Sequence, residues 1–128
     1  MKVTIDNVEW YMVESQPGII QFTQLDQYGH LVDRLEIAKQ FVRRDFGIDA
    51  EQAVVNYIGT HAHLVQMLED YGWVHQLSRP NVWRRRFTHS IIDITLNDTK
   101  WVAMDDTKNL SSGDGPTELY KFLNKDRR

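Results

Sequence analysis

Residues 31–72 read LVDRLEIAKQFVRRDFGIDAEQAVVNYIGTHAHLVQMLEDYG, and the fold turns on how this stretch is read. Leu31, Leu35, Ala38, Val42 and Phe46 recur at intervals of three and four. That spacing lines them up on one stripe of a helix with about 3.6 residues per turn. Asp33, Arg34, Lys39, Gln40 and Arg43 fall mostly on the other side. Gly47 follows as a helix stop, because glycine takes the left-handed conformation without steric cost. The spacing therefore predicts a helix over about 31–46. Asp49, with Gln52 three residues on, predicts the start of a second helix by reciprocal capping, with Ile48 and Ala53 as a hydrophobic staple. Helical spacing then runs from Ala50 through Val54, Tyr57, His61, Leu64 and Leu68 to Tyr71, where Gly72 ends it. Gly59-Thr60 interrupts the run, and the reading favours two pieces, with Thr60 capping the second.

The flanking segments read as strands that need this apolar surface to pack against. Val8, Trp10 and Met12 alternate with neighbours, Ser15-Gln16-Pro17-Gly18 is a turn signal, and Ile19–Leu25 returns. A hairpin is expected over about 8–25, with a short strand before it. Val82–Leu96 is rich in β-formers, Asn97-Asp98-Thr99 turns, and Lys100–Met104 returns, giving a second hairpin over about 82–104. Residues 105–115 read as a polar loop. Pro116 opens a short C-terminal helix that frays at Lys125–Arg128. The expected class is α+β, in a single domain over residues 1–128: an antiparallel sheet from two hairpins packed on a helical pair, about 31–72. Whether both hairpins join one sheet is left open by the sequence.

The totals narrow the function classes. The chain has 128 residues, a net charge of −3 and no cysteine. Without cysteine there is no disulfide, thiolate catalysis or cysteine-held zinc. The charge gives no global pull toward nucleic acid or anionic lipid. No stretch approaches the ~20 apolar residues of a membrane span, and the N-terminus has no signal-like run, so a cytoplasmic protein without membrane contact is expected.

The most pointed feature is Trp83-Arg84-Arg85-Arg86-Phe87. In an extended strand Arg84 and Arg86 share one face, and Trp83, Arg85 and Phe87 the other. Guanidiniums bind phosphates, flanking aromatics stack on bases, and an exposed Trp beside arginines has the composition of a protein-binding hot spot. The plainer explanation is a solvated strand start that pairs with nearby acids. Helix, helix and hairpin resemble a winged helix-turn-helix in element order alone. The helix in the recognition position carries Gln66, Glu69 and Asp70 and no Lys or Arg, which makes it a poor reader of DNA.

His61-Ala62-His63 has the look of a metal motif. Two residues apart on a helix point in nearly opposite directions, so the pair cannot chelate one ion, and His61 falls on the apolar stripe as a core histidine. His89 and Asp93 lie too far apart along a strand to bond directly. No catalytic constellation, metal site or cofactor motif is assembled. The leading expectation is a non-enzymatic interaction or regulatory module that binds a protein partner or itself through Trp83–Phe87. The alternatives are nucleic-acid binding through Arg84–Arg86, and a small enzyme using Tyr57, His61, His63, His89, Asp93 and Asp105-Asp106.

Overall fold

The structure, a computed structural model, describes residues 1–106 and 108–125. The chain is α+β and divides into two compact units, Met1–Ile58 and Gly59–Arg128. Each has its own antiparallel sheet and its own apolar core. The hairpins expected over 8–25 and 82–104 thus lie in different sheets, and the second is three strands rather than two, because the chain turns at 87–90 and pairs Val82–Arg86 with Ile91–Asn97. The helical pair expected over 31–72 is divided at Ile58/Gly59.

In the first unit, β1 (Lys2–Ile5), β2 (Val8–Gln16), β3 (Ile19–Leu25) and β4 (Leu31–Ala38) form a meander in that order. Asp6 and Asn7 both take positive φ between β1 and β2, as a two-residue hairpin turn requires. Leu31–Ala38, expected as the first half of a helix, is instead a strand paired with β3 from Leu31 to Ala38, with a bulge at Val32. The cause lies just upstream. The Asp26 carboxylate accepts the N–H groups of Tyr28 and His30, each at 2.9 Å, and Gly29 takes φ +81°. That turn folds the chain back on β3, and the ladder of backbone hydrogen bonds then outweighs the helical spacing. Only Val42–Phe46 (α1) is α-helical, after a 3-10 turn at Lys39–Phe41.

Helix α2 (Ile48–Tyr57) completes the unit. Ala50, Val54 and Tyr57 from α2 and Val42 from α1 are buried with Trp10, Met12, Ile20 and Phe22 of the sheet. Phe46 stacks on Phe22 at 4.3 Å and meets the Trp10 ring edge-on at 5.7 Å.

The second unit opens with α3 (His61–Asp70), whose first turn is capped by the Thr60 hydroxyl accepting the His63 N–H at 3.2 Å. The break after α2 is therefore a true helix boundary. A second meander follows: β5 (Val74–His75), β6 (Val82–Arg86), β7 (Ile91–Asn97), β8 (Lys100–Asp105) and β9 (Lys108–Asp114). Helix α4 (Pro116–Leu123) ends it. The loop expected over 105–115 is largely strand β9. Its polar residues have weak strand preference, but β8 offers an open ladder and Gly113 pairs with Trp101. Thr107, and residues 126–128 of the expected frayed end, lie outside the described residues.

Leu64, Met67 and Leu68 of α3, with Leu119, Phe122 and Leu123 of α4, are buried with Trp73, Trp83, Ile92, Ile94, Leu96 and Trp101. A Cβ at Gly113 would come within 3.0 Å of the Trp101 ring, so only glycine lets that indole lie against β9. The buried indole N–H groups of Trp73, Trp83 and Trp101 have no hydrogen-bond partner among the described residues. No described helix is long and apolar enough to cross a membrane.

Candidate interaction surfaces

Strand β6 carries the basic–aromatic stretch, and the pleat sends its neighbours to opposite sides. Trp83 faces the core at 4% exposure, its indole stacked on His75 at 4.6 Å. It is not a surface anchor, contrary to the sequence reading. Its arginine neighbours were no obstacle to burial, because Arg84 points to the other face. Phe87 is half-buried against Trp73.

The arginines have separate fates. Arg84 stands directly opposite Asp93 on β7 and donates two hydrogen bonds to its carboxylate, at 2.7 and 3.1 Å. Arg79 donates to the same carboxylate at 2.7 Å. Arg85 turns to the core side and donates to the Tyr71 carbonyl at 2.7 Å, closing the C-terminal end of α3. Its guanidinium lies over the Phe87 ring at 5.1 Å. Arg86 is exposed, with no ion pair or side-chain hydrogen bond among the described residues. Arg84, Arg85 and Arg86 do line one depression with Gly72, Val74 and Gln76, but two of the three are committed within the fold.

The Arg84 guanidinium, with Arg79 adding to it, holds the Asp93 carboxyl below the usual carboxylate range against the opposing effect of burial. A depressed native pKa stabilises the fold above the unfolded value, near 3.9, and that contribution fades as pH falls through the native value. Asp93→Asn is therefore expected to lower stability by roughly 1 kcal/mol at neutral pH. Urea midpoints of the two proteins should converge as the pH is taken below that of a free carboxyl. A gap unchanged down to strong acid would refute this role for Asp93.

The polar residues considered for catalysis are dispersed. Tyr57 is buried in the first unit. His61 is exposed, its Nδ1 2.8 Å from the Asp98 carbonyl oxygen, whereas His63 is the core histidine, the reverse of the sequence assignment. His63 sits one position into the covered stripe of α3, and its Nδ1 accepts the Gly59 N–H at 3.0 Å, which leaves the ring proton on Nε2. His89 is exposed in the loop between β6 and β7, and Asp93 is occupied by two arginines. Asp105 ends β8, and Asp106 follows it in the turn with φ +48°. Among the described residues no group of three His, Asp or Glu is placed to hold a metal.

The surface that sequence reasoning missed is β4. It forms one edge of its sheet, and residues 31–36 are all exposed. Leu31 is 60%, Val32 57% and Leu35 39% exposed, on a backbone edge eight residues long. Such an edge is a template for another strand. Past its end lies an apolar depression of about 590 Å³, lined by Ala38, Lys39, Val42, Val54 and Val55 among others. The Asp26-Gln27-Tyr28-Gly29 turn was the signal that would have revealed it. No protein-family model, curated protein or solved structure matches this chain.

Proposed function

We propose that the chain is a non-enzymatic interaction module that binds protein through the open edge of β4. The observation that carries this reading is the run of exposed apolar side chains, Leu31, Val32 and Leu35, on an unpaired strand edge. Strand addition takes its affinity from main-chain hydrogen bonds and its specificity from alternate side chains, and β4 offers both. The surface the sequence points to, Trp83–Phe87, supports the same class of function less well, because Trp83 is core and Arg84 is neutralised.

An anionic ligand such as nucleic acid is the second reading. It is favoured by the depression that the three arginines share and by the exposed Arg86. A photoreactive residue placed in turn at Val32 and at Arg86, followed by cross-linking in cells, separates the two. A discrete protein adduct from position 32 and none from position 86 is the expected result. Nucleic-acid adducts from position 86 alone would favour the second reading, and silence at position 32 would remove the first.

A further inference from the structure

We propose that the partner of the β4 edge is a second copy of this chain, paired antiparallel about Leu35. The proposal rests on the reading of β4 as the interaction edge and adds its occupant and register.

The phase of the edge follows from one bond. Lys39 donates its N–H to the Gly18 carbonyl at 2.7 Å, just beyond the Ile19–Ala38 pair. In an antiparallel pair alternate residues bond across the ladder, so Ile37, Leu35 and Asp33 turn inward to β3. Arg34, Glu36 and Ala38 then present their N–H and C=O groups outward, short of the bulge at Val32. Arg34 agrees: its N–H meets the Asp33 carboxylate at 2.7 Å.

Charge then selects the register. A two-fold axis normal to the sheet keeps each side chain on its own face, so the strand can pair about Arg34, Leu35 or Glu36. Centred on Leu35, each Arg34 faces Glu36 of the second copy, twice by symmetry. One step either way sets Arg34 against Arg34, or Glu36 against Glu36, and like charges directly opposite destabilise a ladder. Within one chain Arg34 donates to the Gln21 side-chain oxygen at 3.0 Å and reaches Glu36 of its own strand at 3.5 Å, on an exposed face where such contacts contribute little.

The apolar side agrees with the same register. Met12, Phe22 and Leu35 form one row across the sheet, buried at Met12 and Phe22 and open at Leu35. Pairing about Leu35 sets Leu35 against Leu35 at a close, non-hydrogen-bonded position, with Cα atoms about 4.5 Å apart. The row then continues into the second copy, and two four-stranded sheets become one sheet of eight strands. The other edges compete poorly. β1 has four residues, β5 has two, and β9 is polar apart from Leu110.

The test is sedimentation velocity on the purified full chain, with Arg34→Glu, Glu36→Arg, the double swap, and an equimolar mixture of the two single variants. Both residues are exposed, and far-UV circular dichroism checks that the variants fold. The wild type is expected to dimerise, and each single variant to dimerise on the order of tenfold more weakly, since two facing pairs become repulsive. The mixture restores association, because a chain with two acids then meets a chain with two arginines, and the double swap restores it alone. A dimer indifferent to these reversals overturns the proposal, as does a monomer even at about 1 mM. A monomer that still gives a discrete adduct to another protein from position 32 sinks the second copy alone. A monomer with no such adduct sinks the interaction edge as well.

Discussion

Trp101→Ala should cost the second unit about 3–5 kcal/mol, the range for emptying an aromatic site in a core. The indole is 2% exposed, packs on Phe122 at 5.5 Å, and lies against the bare backbone of Gly113. Its removal opens a void between β8, β9 and α4 that neither strand can close without breaking its ladder. The orphaned N–H is the one compensation, because deleting it removes an unsatisfied buried donor. Trp101→Phe keeps most of the volume and loses the same donor, so it should be far milder. Amide hydrogen exchange read by mass spectrometry is the measurement, with protection expected to fall across residues 59–125. Protection equal to wild type there would mean that the site relaxes around the gap.

Phe22→Ala should be as damaging to the first unit, again by about 3–5 kcal/mol. Phe22 is fully buried, stacks on Phe46, and sits in register between Met12 and Leu35. Its loss detaches α1 from the sheet and breaks the apolar row in the middle. The same exchange experiment should show protection lost across residues 1–58 and kept across 59–125, and the converse for Trp101→Ala. Loss over the whole chain from either substitution would instead mean that residues 1–128 unfold as one cooperative domain.

The α+β class, the hairpin over 8–25, the helix break at Thr60 and the C-terminal helix were legible in the sequence because each has a local cause. Pro17-Gly18 turns, Thr60 caps, and Pro116 starts a helix in residues whose own chemistry suffices. Leu31–Ala38 was not legible from periodicity. Leu31, Leu35 and Ala38 fit a helical stripe, while Leu35 and Ile37 alternate with Arg34 and Glu36 as a strand would, and pairing with β3 decides between them. β9 is a strand because β8 has an edge to fill, which no local preference of Lys108–Asp114 expresses. The candidate site suffered from the same blindness to register. Arg84 facing Asp93 is obvious once β6 and β7 are aligned, and unreadable before, since the loop at 87–90 sets that alignment.

In both meanders each strand after the first pairs with the one made just before it, and the two sheets are separate. Chains dominated by such near-neighbour contacts close small loops at each step and fold fast for their β content. During synthesis the first sheet has all its strands, and α2 to cover them, once Ile58 has emerged. It can reach its final pairing while Gly59 onward is still being made. The last strand of the first sheet to leave the ribosome is β4, so its neighbours are already made when its edge appears.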